Sequence, residues 1–305
     1  MKFLKFIRYQ NLLLIAGTQS IIHFVFLKAL SIPAALSTLS FCILLLASLL
    51  IAAAGYIIND INDVAIDRIN KPDRAFIPRF YSEATAYNYY FILNIAGVAL
   101  GFFLSYKIGK SGFTTVFVLI SALLYTYASF LKKVTLIGNL IVSLIVASSI
   151  LVVIIFDLLP LLDRYSYELA NPIAVLRDYA IFAFLLNFLR EIIKDVEDVN
   201  GDRNYGVKSL AIIMGRERTS KVCSILAVVY IFLLIYYIYV YLYTNTITAG
   251  YLLFGICAPL LYFAIKAWSA ENIQDFSRLS VLLKIIMLLG ILSLLVLTLS
   301  LKYAG

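Results

Sequence analysis

Nine long apolar runs dominate this 305-residue chain, at roughly 11–31, 35–58, 85–106, 112–131, 134–158, 173–193, 218–242, 248–268 and 279–301. A bilayer hydrocarbon core is crossed by about 20 apolar residues of helix, so each run is long enough to span. Barrel strands are excluded, because they need only about 9 to 11 residues and alternate in polarity. With 63% hydrophobic and 14% charged residues, neither a soluble domain nor a disordered chain fits. The expectation is an all-α integral membrane protein, with nine transmembrane helices in a single polytopic domain over residues 1–305. Lys2, Lys5 and Arg8 ahead of the first run resemble a signal-peptide n-region. That run is long and no small-residue cleavage site follows, so it reads as helix one. Cys42, Cys223 and Cys257 all fall in apolar stretches and form no zinc or disulfide pattern.

The formal charge of +8 does not point to nucleic acid, since the basic residues punctuate apolar segments and build no basic face. Membrane lipids are the expected anionic surroundings. Alternating the sides of nine helices places 19 Lys and Arg on the side of the N-terminus and 6 on the other. Basic residues are retained in the cytoplasm, so the N-terminus and the connections after helices two, four, six and eight are expected there.

Two of those connections carry most of the acidic residues with chemical meaning. Asn59-Asp60-Ile61-Asn62-Asp63-Val64-Ala65-Ile66-Asp67 and Asp195-Val196-Glu197-Asp198-Val199-Asn200-Gly201-Asp202 both contain Asp-x-x-Asp-x-x-x-Asp. On a helix, positions i, i+3 and i+7 fall within about 60° of one another, so each trio makes a carboxylate stripe. Like charges at this spacing repel unless a cation occupies them. Oxygen-only donors suit hard divalent ions, and Mg²⁺ is commonly shared between one or two carboxylates, phosphate oxygens and water. Neither segment contains His or Cys, so zinc is not expected. The plain alternative is a polar loop with capping aspartates, but two copies with one spacing at one membrane face argue against it. Asp60 and Asp195 lie 135 residues apart. The interval suggests a pseudo-repeat of 1–133 and 134–268, with helix nine appended.

Lys71 and Arg74 follow the first segment, Arg190 and Lys194 precede the second, and Arg203 and Lys208 follow it. Such cations neutralise phosphate oxygens that metals do not reach. A cation transporter is the competing class, yet transporters place ionisable ligands near the bilayer midplane and these carboxylates lie at a rim. The single histidine, His23, sits within helix one and reads as a packed polar residue.

Asn59 to Asp67, followed by Asn70, Pro72 and Arg74, resembles the N-D-x-x-D-x-x-x-D signature of the UbiA superfamily of intramembrane prenyltransferases. Asp195 to Asp202 resembles its second aspartate-rich motif, and the resemblance covers essentially the whole chain. It implies a nine-helix bundle around a central cavity, with a prenyl diphosphate donor held through two Mg²⁺ ions at the cytoplasmic end. By the resemblance, Asn59, Asp63 and Asp67, with Asp60 close by, serve one metal site, and Asp195, Asp198 and Asp202 the other. Asp63, Asp67, Asp198 and Asp202 are then the catalytic carboxylates. Asn11, Asn59, Arg74, Tyr125, Tyr127, Lys132, Lys194, Arg203 and Lys208 are the implied substrate-binding residues. Ala75 departs from the pattern, where members often have Pro, and this bears on the geometry of the Arg74 loop.

The stretch from Arg190 to Asp202, followed by Gly206-Val207-Lys208-Ser209-Leu210, is similar to the branch that prenylates geranylgeranylglyceryl phosphate. That lipid is the expected acceptor. An aromatic acceptor such as 4-hydroxybenzoate or a quinone precursor is the alternative, as is a terpene cyclase, because ionisation proceeds identically in each. The 21 Phe and 22 Tyr offer ring faces for an allylic cation, although most must serve packing or the membrane interface.

Overall fold

The computed structural model describes residues 2–70 and 76–303, and among these it contains helices and turns but no strand. Among the described residues, nine helices are long and apolar enough to cross a membrane: α1 Tyr9–Leu27, α2 Thr38–Asn62, α3 Glu83–Lys107, α4 Ser111–Ser129, α5 Ile137–Leu161, α6 Ser166–Asn204, α7 Arg216–Tyr241, α8 Thr246–Trp268 and α9 Ile273–Tyr303. The order and number match the apolar runs. The largest difference is α6, whose 39 residues continue helically through the second acidic segment.

The chain forms two compact units, one of residues up to Lys132 with Ala147–Ala180, the other of Lys133–Val146 with residues from Ile181 onward. Helices α5 and α6 therefore each contribute to both. In the first unit α2 packs along α3 and against α4. Glycines permit the close approach. A Cβ at Gly97 would lie 2.6 Å from Ile51, and one at Gly101 2.2 Å from the Phe117 ring. Phe41, Leu44, Ile51, Phe117 and Phe156 fill the space between these helices, while Ile92, Ile95 and Phe102 on α3 stay exposed, as lipid-facing residues do.

His23 is fully buried in this unit, and its Nδ1 lies 2.8 Å from Oδ2 of the equally buried Asp157. Both residues sit on widened π-type turns, over Ile21–Leu27 and Ile154–Leu158. Such turns swing side chains off the regular helical faces. The other Asp157 oxygen accepts from the Leu36 amide at 3.1 Å, and its carbonyl accepts from Ala35 at 2.8 Å. One aspartate thus ties α1, α5 and the α1–α2 connection together. The imidazole stacks on Phe41 with ring centres 4.1 Å apart.

In the second unit, Ser224 donates to the Ala264 carbonyl at 2.7 Å and Ser220 to that of Ala267, which brings α7 against α8. Thr248 and Ser300 join α8 to α9 at 3.0 Å. Small residues and interhelical hydrogen bonds are the usual means of association where water supplies no hydrophobic drive.

Candidate active site

The first acidic segment begins in the last turn of α2. The Asp63 amide still bonds Asn59 O at 2.9 Å, but Asp63 itself leaves helical geometry, with φ −100° and ψ 4°. A short helix, Val64–Asn70, then carries Asp67, whose amide bonds Asp63 O at 2.8 Å. The expected continuous stripe is therefore interrupted at its middle member. Both Asp63 carboxylate oxygens are engaged: Oδ2 accepts from Asn59 Nδ2 at 2.7 Å and Oδ1 accepts from Lys132 Nζ. Lys132 reaches back from the Leu131–Lys133 turn after α4.

Asp60 is paired differently. Its Oδ1 accepts from Arg8 at 2.6 Å, and the guanidinium also lies over the Tyr56 ring, 5.1 Å from its centre. Arg8 adopts the left-handed region, φ 52° and ψ 52°, which is costly for a residue with a Cβ and persists only where surroundings enforce it. In the sequence Arg8 counted only as part of the basic N-terminal stretch and towards the positive-inside bias. Nothing local in the sequence tells that it folds back onto residue 60.

In the second unit, Asp195, Asp198 and Asp202 do share the face of one uninterrupted helix. Asp195 Oδ2 accepts from Asn139 Nδ2 at 2.8 Å, and Asp202 repels it across two turns. Glu191 engages the basic flank, with Arg190 at 3.1 Å and Lys194 at 2.8 Å. Helix α6 ends at a glycine. Gly206, φ 72°, makes the left-handed turn, and the Val207 amide reaches back to Asp202 O at 3.2 Å. Lys208 follows at once; its amide bonds Lys133 O at 3.0 Å, while its carbonyl accepts from the Thr135 hydroxyl. This pairing sets the exposed Lys133 and Lys208 side by side. Arg216 secures the helix end through the Asn200 side chain at 3.0 Å and the Val196 carbonyl.

Of the residues singled out from sequence, Asn59, Asp63 and Lys132 form one cluster with Asp67 on the next turn, and Asp195, Asp198 and Asp202 line α6. Tyr125 and Tyr127 lie two residues apart on α4. Tyr125 is 45% exposed and stacks on Tyr90 at 6.4 Å. Arg203 is exposed in the last turn of α6, and Asn11 lies in the first turn of α1. Arg74, with Lys71, Pro72 and Ala75, lies outside the described residues. Asn139 and Arg8 are the residues that sequence reasoning missed. An amide at the start of an apolar span was a signal for Asn139.

Among the described residues, no three His, Cys, Asp or Glu side chains converge on one metal position. Within each unit the donors are instead one or two carboxylates with amides and ammonium groups around them. That set fits Mg²⁺, which dehydrates reluctantly and completes its octahedron with phosphate oxygens and water. It does not fit a closed protein cage of the structural-zinc kind.

An all-helical, membrane-spanning chain with paired aspartate-rich helix ends flanked by cations belongs to a known class. The sequence profile of the UbiA prenyltransferase family matches residues 20–289, and the chain is a member of that family, an intramembrane prenyltransferase. Among individual proteins, it is 33% identical to the digeranylgeranylglyceryl phosphate synthase of Saccharolobus solfataricus, over 80% of this chain and 79% of that one. To the synthase of the same name from Thermococcus kodakarensis it is 30% identical, over 80% of each. The match to the Sulfolobus acidocaldarius synthase, at 35% identity, spans 60% of either chain. A solved digeranylgeranylglyceryl phosphate synthase structure superposes with a TM-score of 0.62 at 25% identity, covering 97% of this chain and 96% of that one. A UbiA homologue from Archaeoglobus fulgidus bound to GPP and Mg²⁺ shares the fold, with a TM-score of 0.58 at 15% identity over 96% and 99% of the two chains.

Proposed function

We propose that this protein moves a geranylgeranyl-type prenyl group from its allylic diphosphate to the hydroxyl of geranylgeranylglyceryl phosphate, at the cytoplasmic face. The observation that carries the donor half is the Asp63 cluster. A carboxylate held by Asn59 and Lys132 offers oxygen to a hard cation and an ammonium group to phosphate in one place. Ionising an allylic diphosphate fails in apolar surroundings unless charge on the leaving group is met as it develops. In this reading Asn59, Asp63 and Asp67 serve one Mg²⁺ and Asp195, Asp198 and Asp202 a second. Held there with the donor, Mg²⁺ would supply positive charge to the leaving diphosphate. Asp60, clamped by Arg8, anchors the N-terminal turn beside the first segment. In the first unit Lys132, Arg74, Asn11 and Tyr127 serve the donor, and in the second Lys194 and Arg203 supply positive charge beside the second acidic segment.

The acceptor assignment is supported by the names of the relatives and by the pairing of Lys133 with Lys208. A glycerol phosphate headgroup carries nearly two negative charges close to an anionic diphosphate, and two lysines that are neighbours along the backbone suit it. An aromatic acid offers one. The acceptor hydroxyl attacks the cation-like prenyl carbon as the carbon–oxygen bond to diphosphate breaks, and its proton leaves to a diphosphate oxygen or water. No histidine base is required.

The test is an acceptor screen. Purified protein with geranylgeranyl diphosphate should yield the ether product with geranylgeranylglyceryl phosphate, identified by mass. Lys208→Gln should raise KM for that acceptor more than for the donor. Prenylation of 4-hydroxybenzoate in its place would reassign the acceptor, and a cyclised product with no acceptor would make the protein a cyclase.

A further inference from the structure

Asp195 differs from Asp60 and Asp63 of the first acidic segment. Asp60 is paired with a guanidinium and Asp63 with an ammonium group, but Asp195 is held by a neutral amide, Asn139 Nδ2 at 2.8 Å. A cation both orients a carboxylate and cancels its charge. An amide orients it and leaves the charge intact.

The amide is itself built in. Asn139 is 9% exposed in the first turn of α5, Ser143 one turn on is fully buried, and Asn187 on α6 is 3% exposed. Asn187 donates to Ser143 Oγ at 3.3 Å, and Ser143 donates to the Asn139 carbonyl at 2.6 Å. Asn187 lies eight residues before Asp195, about 12 Å further along the helix. Polar side chains buried in a membrane helix are unfavourable unless partnered, and here the partners lead stepwise to an acid of the second segment.

We infer that Asn139 is a positioning residue for the second acidic segment: it fixes Asp195 Oδ2 so that the other carboxylate oxygen is presented to Mg²⁺. The inference rests on the metal-dependent reading above. Groups of this kind behind a metal ligand change affinity by roughly 10- to 100-fold when removed.

The test is a titration of Mn²⁺ into purified protein without substrate, with free Mn²⁺ read by electron paramagnetic resonance. Asn139→Leu should weaken binding by about 10- to 100-fold. Ser143→Ala, which removes the neighbouring contact but keeps the amide, should bind as the unmodified protein does. Should the leucine variant fail to accumulate, Asn139→Ser, smaller and too short to reach Asp195, carries the same expectation. Unchanged affinity in the Asn139 variant, or an equal loss in Ser143→Ala, would overturn the positioning role. An unmodified protein that binds no Mn²⁺, alone or with an unreactive diphosphate analogue of the donor, would sink the metal reading itself and the inference with it, a failure seen before any variant is made.

Discussion

Lys132→Met isolates the competition between the protein's own ammonium group and a metal ion for Asp63. The Lys132 and Asp63 side chains are only 10% and 16% exposed, so the pair is screened far less than a surface ion pair. At about 4 Å and an effective dielectric near 20 the gross attraction is about 4 kcal/mol. Desolvation of both groups opposes it, leaving about 1.5 kcal/mol that a cation must displace to take Asp63 Oδ1. Removing the ammonium group should therefore tighten Mn²⁺ binding in the absence of substrate by about tenfold. Turnover should move the opposite way, falling by about 10² to 10³, because one charge that meets the leaving diphosphate is gone. Manganese titration read by electron paramagnetic resonance gives the first quantity, and product formation at saturating metal gives the second. Tighter metal with slower turnover is the signature. A variant that binds Mn²⁺ no better than the parent and turns over within fivefold of it would refute the reasoning.

Three further outcomes are expected. Asp63→Asn and Asp198→Asn should each lower turnover by about 10² to 10³, and chelator should abolish activity until Mg²⁺ or Mn²⁺ is restored; full turnover in both variants would remove the carboxylates from the reaction. Cysteines at the exposed positions Glu83 and Tyr205 should label from the cytoplasmic side only and one at Thr244 from the opposite side only, an assay in intact cells that fails the topology if Tyr205 and Thr244 label together. His23→Leu should destabilise the protein in detergent by about 3 to 5 kcal/mol, since Asp157 Oδ2 is left buried without its imidazole, and His23→Leu with Asp157→Leu should recover part of that loss in thermal unfolding.

The nine helices were legible because length and apolarity alone decide whether a segment can cross a bilayer, and both are properties of contiguous sequence. The second acidic segment was legible for the same reason: Asp195, Asp198 and Asp202 do lie along one helix, as their spacing requires. The first segment departs from a plain helix at Asp63, where the backbone bends, and the partners that hold it come from residues 8 and 132. Such long-range partners are invisible to periodicity. Arg8 is one charge among 25 until the left-handed turn aims it at Asp60. His23 reads as a packed polar side chain from sequence, and nothing in the spacing links it to Asp157, 134 residues away. The two meet because each sits on a widened turn.

The length of α6 has a consequence for where the chemistry sits in the bilayer. Its 39 residues measure about 58 Å, nearly twice the hydrocarbon thickness of about 30 Å. With the apolar stretch of residues 173–193 filling the hydrocarbon, Asp195 lies about 3 Å past its edge and Asp202 about 13 Å past it. On that placement the acidic face climbs through the headgroup layer like a depth gauge, its first member at the hydrocarbon edge and its last beyond the headgroups. A bilayer thicker by a few ångströms submerges Asp195 first unless the helix tilts less or the lipids thin around it. Acyl-chain length in the host membrane thus becomes a variable that acts on the acids one at a time, from the innermost outwards.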